Sequence, residues 1–325
     1  MYPVGRHVSR LSGYAPALPT PFDQDGALDR AAFERLCHGQ IEHGATALVV
    51  CGTTGEAPTL SASERRELIR IAVEVARGQV PVVAGAGSSS TSHAIDLARA
   101  AEAVGADAIL LVVPYYNKPT QAGLHAHFCA IANAVGLPII LYDVPSRTAC
   151  TLADATVARL AERPQFIGLK DATGDMARPP RLRALLGNDF RLLSGDDATA
   201  LAFMAQSGNG CISVTSNVAP GLCRSIYLAL KRGQIGRAQS FASAVMILTV
   251  ALFSETSPGP LKHALSLLGV MSARVRLPLV EPNDASKAQV ASALHDLCAR
   301  HSDDMIGTLG DAREPSRRLM RAVAN

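Results

Sequence analysis

Tryptophan is absent from the 325 residues, aromatic side chains make up only 4% of them, and just five of the 31 basic residues are lysine. With so few aromatics and interspersed charges that sum to +3, the chain lacks the basic, ring-studded surface of a nucleic-acid binder. No stretch approaches the roughly 18 unbroken apolar residues of a membrane span, and the N-terminus has no apolar signal core. The seven cysteines (Cys37, Cys51, Cys129, Cys150, Cys211, Cys223, Cys298) contain no Cys-x-x-Cys pair and sit mostly inside apolar runs. They read as buried small hydrophobes in a reducing compartment, and the chain as a soluble cytoplasmic protein. A dinucleotide-binding glycine fingerprint is missing too. Gly85-Ala86-Gly87-Ser88-Ser89-Ser90 lacks the third glycine and reads more simply as a small-residue turn from strand to helix.

What is present is ample core material, at 48% hydrophobic residues, arranged in short runs separated by helical stretches. The runs end near Leu18, Cys51, Gly85, Val113, Tyr142, Lys170, Ser194 and Val214, which gives eight strand-helix units. Ala47-Leu48-Val49-Val50 and Ala108-Ile109-Leu110-Leu111-Val112-Val113 are apolar on consecutive residues, the pattern of strands buried on both faces in a parallel sheet. Eight such units predict an α/β fold, a TIM (β/α)8 barrel over 13–232. Ser61 with Glu64 forms a capping box, Asp29 precedes one helix, and Asp197 is expected to cap a helix over 198–204. After 232 strand signals stop, and helices over 234–252, 260–268 and 285–299 form a C-terminal helical appendage, 233–302. An N-terminal extension, 1–12, and a tail, 303–325, with Arg313, Arg317, Arg318 and Arg321 flank these parts.

A barrel of this kind carries its chemistry on the loops after its strands. Lys170 stands at one such end, closing the apolar run Phe166-Ile167-Gly168-Leu169. On position alone it reads as a solvated strand-end lysine or half of an ion pair; the alternative is a buried amine kept neutral for nucleophilic attack. The other strand ends favour the alternative. Gly52-Thr53-Thr54-Gly55-Glu56 offers two hydroxyls and accessible backbone N–H groups for a small carboxylate, although an ordinary capped turn has the same composition. Tyr115, Tyr116 and Tyr142 supply phenols at the same end, each of which would singly pass for a core or rim residue. Arg147 offers a bidentate fork, or a surface ion pair. Asp196-Asp197 could be an acid/base pair but is better explained by helix capping, and His125-x-His127 would point to two faces of a helix, a poor metal site. An amine, phenols and a carboxylate cradle, with no metal ligands and no cofactor motif, specify Schiff-base chemistry on a small oxo acid.

Gly52-Thr53-Thr54-Gly55-Glu56, together with Pro114-Tyr115-Tyr116-Asn117, Tyr142-Asp143-Val144-Pro145-Ser146-Arg147-Thr148, Lys170-Asp171-Ala172-Thr173-Gly174 and Leu193-Ser194-Gly195-Asp196-Asp197, resembles the pyruvate-dependent class I aldolase family that includes N-acetylneuraminate lyase, in its dihydrodipicolinate synthase branch. The resemblance runs from about residue 13 to 299. It implies that Lys170 forms an imine with pyruvate, that Thr54 holds the pyruvate carboxylate, and that Tyr142 shuttles protons through Thr53 to Tyr116 of a neighbouring subunit. It further implies that the Ile212 carbonyl faces pyruvate, that Arg147 and Gly195 receive aspartate semialdehyde, and that the product, 4-hydroxy-tetrahydrodipicolinate, leads to diaminopimelate and lysine. A homo-oligomer, dimer or tetramer, follows from the Tyr116 role, and no cofactor is implied. The family usually has Asn at Asp143, Gly at Ala149 and Ser at Ala57. Asp143 is expected to add negative charge beside the aldehyde-binding arm, which leaves open another aldehyde or a sugar-acid lyase activity. A barrel that binds an oxo acid without turnover is the third reading. Ala62, Ser89 and His93 stand where lysine-inhibited members carry His, Asn and Glu.

Overall fold

The computed structural model describes residues 11–306. The tail arginines, and all of the N-terminal extension except Leu11 and Ser12, lie outside the described residues. From there the elements alternate: β1 (Gly13–Pro16), α1 (Arg30–Glu42), β2 (Leu48–Val50), α2 (Ala62–Ala76), β3 (Val82–Gly85), α3 (Thr91–Ala103), β4 (Ala108–Val112) and α4 (Gln121–Ala134). There follow β5 (Ile139–Asp143), the single-turn α5 (Pro145–Thr148), α6 (Asp154–Ala161), β6 (Phe166–Asp171), α7 (Arg178–Leu186), β7 (Arg191–Ser194), α8 (Ala200–Ala205), β8 (Gly210–Ser213) and α9 (Pro220–Lys231).

All strand pairs are parallel, in the order β1-β8-β7-β6-β5-β4-β3-β2. The bridge between Ala17 and Val49, with Leu18 N–H donating to the Val49 carbonyl at 2.9 Å, brings the two ends of that order together. The sheet is therefore a (β/α)8 barrel. Strand alternation explains the consecutive apolar residues. Ala15, Val49, Val83, Leu110, Ile140 and Ile212 fill the interior, while their neighbours Leu48, Val50, Ile109 and Leu141 pack outward with Leu36, Leu68 and Leu124 of the helices.

Two of the expected helix starts hold. Asp29 accepts from Ala32 N–H at 2.9 Å, and Ser61 and Glu64 exchange both bonds of the capping box at 3.2 and 2.8 Å. Asp197 behaves differently from the sequence expectation. It is half-buried and turned to the end of β8 and the loop after it, where it accepts from Ser213 Oγ and from the N–H groups of Val214 (2.8 Å) and Thr215 (3.3 Å). Asp196 takes the local role, accepting from Ala198 N–H and Thr199 Oγ1, and the helix begins later, at Ala200. Three unsatisfied donors at the neighbouring strand end outcompete one helix end.

After α9 come α10 (Ile235–Leu252), α11 (Gly259–Leu267) and α12 (Asp284–His301), and no strand follows among the described residues. By length and composition α10 could cross a membrane, but it packs along α9 and α12.

Candidate active site

The turn after β2 is strained at both ends. Cys51 and Glu56 adopt left-handed conformations (φ 56° and 53°), which side chains with a Cβ rarely hold unless their surroundings fix them. Here the surroundings do. The Glu56 carboxylate is buried and accepts from Lys262 Nζ at 2.6 Å and from Arg276 N–H at 2.8 Å, while Thr20 Oγ1 donates to the Gly55 carbonyl at 2.7 Å. Gly85 at the end of β3 presses on the same turn: a Cβ there would lie 2.1 Å from the Cys51 carbonyl oxygen. Its glycine thus serves a close backbone approach. Within this braced turn Thr54 is buried and Thr53 faces a cavity of about 240 Å³.

Lys170 and Tyr142 are register partners on β6 and β5. The Lys170 side chain points into the barrel, 7% exposed, with its ammonium 4.4 Å from the centre of the Tyr142 ring. No carboxylate pairs with it among the described residues, so the ion-pair explanation of a strand-end lysine does not apply. Gly195 flanks it after β7: a Cβ would sit 3.0 Å from Lys170 Cε and 2.9 Å from Ala172 Cβ, too close for any larger residue without displacing the lysine stem. Ile212 on β8 lies in the same interior layer.

Tyr142 also lines the cavity, so the amine adjoins it through the phenol ring. Thr53, Tyr115 and Arg147 form other parts of the wall. Arg147 makes no ion pair among the described residues, which leaves its fork free for an anion. Tyr116 is not brought together with these groups: it is 94% exposed, at φ 73°, and projects away from the chain.

Two arginines escaped sequence reasoning. Arg65 lines the cavity and donates to the carbonyls of Ala57 (2.6 Å) and Gly85 (3.3 Å), with burial pushing its guanidinium down from the usual value. Its signal was its place one turn after Ser61, which the capping box aims at the turn after β2. Arg178, at the start of α7, donates from Nη1 to Asp143 Oδ2 at 2.8 Å. Asp143 is 0% exposed, so its charge faces Arg178 in the wall and not the cavity, contrary to the expectation of a negative group beside the aldehyde arm. Burial pushes the Asp143 carboxyl up while Arg178, Thr151 and Leu152 pull it down. Burial likewise opposes the Arg178 cation, and the Asp171 and Asp143 carboxylates more than offset it. Guanidinium does not give up its proton in a protein, and three donors meet on one Asp143 oxygen, so the pair is ionised. On α4, His127 turns inward to Thr91 while His125 lies against Cys129, on separate faces as the spacing predicts.

An unpaired buried amine against a phenol, beside a small cavity with hydroxyls at one wall and a free guanidinium at another, suits imine chemistry on small anionic carbonyl compounds. The Dihydrodipicolinate synthetase family profile matches residues 10–297. The chain belongs to that family. A 4-hydroxy-tetrahydrodipicolinate synthase of Rhodospirillum centenum is 52% identical over 282 residues, 87% of this chain and 97% of the relative. Among solved structures of the family, the chloride-inhibited dihydrodipicolinate synthase of Acinetobacter baumannii, complexed with pyruvate, superposes with a TM-score of 0.86 at 42% identity, covering 88% of this chain and 98% of that one. A dihydrodipicolinate synthase variant described as the first monomeric one gives 0.87 at 36% identity, covering 90% and 98%. Family membership thus extends over the whole barrel and the C-terminal helices together.

Proposed function

We propose that this chain is a lyase that condenses pyruvate with L-aspartate 4-semialdehyde to 4-hydroxy-tetrahydrodipicolinate, on the route to diaminopimelate and lysine. The observation that carries the reading is the Lys170 ammonium, buried without a carboxylate partner against Tyr142. Family membership and relatives bearing this activity support it.

In this reading Lys170 attacks the pyruvate carbonyl, water leaves, and an imine forms. Loss of a methyl proton gives the enamine, whose carbon attacks the aldehyde and creates the hydroxyl. The amine of the semialdehyde then displaces Lys170 as the ring closes. Tyr142 passes the protons, Thr53 links it outward, and Thr54 holds the pyruvate carboxylate on the braced turn. Gly195 leaves room beside the lysine, Arg147 takes the second carboxylate, and the Ile212 carbonyl faces pyruvate. Tyr116, exposed as it is, completes the relay in a neighbouring copy, so the working unit is a homo-oligomer, dimer or tetramer, in the cytoplasm. Because Asp143 faces Arg178 in the barrel wall, the main motive for a different aldehyde falls away.

Borohydride reduction with pyruvate, followed by peptide mapping and a panel of aldehydes, tests the reading. A reduced pyruvate adduct on Lys170 and turnover selective for aspartate semialdehyde are expected. An adduct without that turnover would point to another aldehyde, and no adduct to a binding barrel.

A further inference from the structure

Immediately beyond the Tyr142 and Lys170 pair, the next residues of the same strands, Asp143 and Asp171, are again register partners. Alternation turns them to the other side of the barrel wall. There Arg178 meets them: Nη1 donates to Asp143 Oδ2 at 2.8 Å and to Asp171 Oδ2 at 3.5 Å, Nε to Asp154 Oδ1 at 2.9 Å, and Nη2 to the Leu152 carbonyl at 2.6 Å. Asp143 Oδ2 also accepts from Thr151 Oγ1 at 2.9 Å and Leu152 N–H at 3.0 Å. The chain therefore leaves β5 at Asp143, carries Arg147 outward on α5, and comes back to the same carboxylate at Leu152.

We propose that Asp143 and Arg178 form a buried clasp that closes the loop over residues 144–152 and so positions Arg147 for the carboxylate of the aldehyde substrate. The inference rests on the function proposed above. Val144 and Leu152 are packed into the core at the two ends of the loop, and the segment that carries Arg147 lies between them. The α5 turn has no side-chain cap, ends on a left-handed Ala149, and is held internally by Thr148 Oγ1, which donates to the Val144 and Cys150 carbonyls. Its further ties are Gln121 Nε2 to the Thr151 carbonyl at 2.8 Å, from α4 on the surface, and Cys150 Sγ to the Pro119 carbonyl at 3.5 Å. A buried ion pair adds little net stability over apolar packing, so what this one contributes is geometry. By contrast, the Tyr142 and Lys170 pair is fixed by the backbone ladder between β5 and β6, and the bond from Arg178 to Asp171 is the longest of the set. Asp143 and Arg178 are thus positioning residues for the second substrate and not for the imine.

The test separates the two half-reactions in Arg178→Met, which keeps the apolar stem and removes the bonds from the guanidinium to Asp143, Asp154, Asp171 and the Leu152 carbonyl, leaving Asp143 only Thr151 and Leu152. The KM for aspartate semialdehyde should rise roughly tenfold, while the rate of borohydride-trapped pyruvate adduct on Lys170 stays within about twofold of the parent. Asp143→Asn, which retains an oxygen for Thr151 and Leu152, should raise the same KM by only about threefold, and it carries the test if Arg178→Met does not fold. An unchanged KM, or an equal loss of trapping and turnover, overturns the clasp. Failure of the parent enzyme to trap pyruvate would instead overturn the reading of function on which it rests.

Discussion

Burial of His127 pushes its imidazole down to about 4, because the charged form would lose its hydration between α3 and α4. Nδ1 is bonded to Thr91 Oγ1 at 2.9 Å, while Nε2 is buried with no partner, so protonation would strand a charged donor. Between the free value of 6.5 and about 4 the unfolded chain binds a proton that the folded chain does not. Stability from this group is therefore present above 6.5 and lost as pH falls toward 4. Urea unfolding at pH 7 and 4.5 should show a smaller acid loss in His127→Gln than in the parent, by on the order of 1–2 kcal/mol after allowance for screening; equal losses would assign the acid sensitivity elsewhere. At this same scale the unusual place of Lys170 was legible and the groups around it were not. Lys170 announces itself as a lysine ending an apolar strand, a costly place for a charge. Arg178 gives no such signal, since an arginine opening a helix is ordinarily solvated. Its burial depends on Asp143 and Asp154, 35 and 24 positions away, which only the folded barrel brings to it.

Among the elements, α5 and α2 both end on a left-handed residue other than glycine, Ala149 and Arg77, and α5 is the one beside the cavity. Its C-cap, Ala149, sits at φ 53° and ψ 24° with its N–H donating to the Pro145 carbonyl, a left-handed cap that glycine fills without strain. Ala149→Gly should therefore raise stability by about 1 kcal/mol, the relief of the left-handed penalty less the extra freedom glycine gains in the unfolded chain. A lower urea midpoint in that variant would show the cap to be unstrained. The larger elements follow from patterns that local physics sets: consecutive apolar residues for strands covered on both faces, Ser61 and Glu64 for the start of α2, and Asp29 for α1. Asp197 misled because capping is a local rule, and the competing donors on Val214 and Thr215 lie on a different strand's loop. The exposure of Tyr116 was not legible, since neither its motif nor its place after β4 distinguishes it from Tyr115, which lines the cavity.

Across the whole molecule, the C-terminal helical region is fastened to the turn after β2 by a small set of buried and half-buried charges. Lys262 of α11 donates to Glu56 Oε1, 206 positions earlier, and to the Arg274 carbonyl, both at 2.6 Å. Arg276 donates its backbone N–H to Glu56 Oε2 and its guanidinium to Glu64 and to the carbonyls of Gly26 and Thr59. Lys262 and Arg276 both lie on the ring of Phe22, at 4.1 and 4.2 Å from its centre. The left-handed Glu56 that closes the threonine turn is thus held from a part of the chain beyond the barrel. Burial pushes Lys262 down to about 8 against the pull of Glu56, so either charge left alone would be poorly tolerated. Glu56→Gln and Lys262→Met should each cost about 3–5 kcal/mol in urea unfolding, because each strands one buried charge, and the double variant should recover much of that loss. Single variants that still fold should also raise the KM for pyruvate more than that for the aldehyde, since the released turn carries Thr54 and not Arg147. Additive stability losses in the double variant would mean that the two side chains act independently, and an unchanged pyruvate KM would mean that the turn keeps its shape without the C-terminal helices holding it.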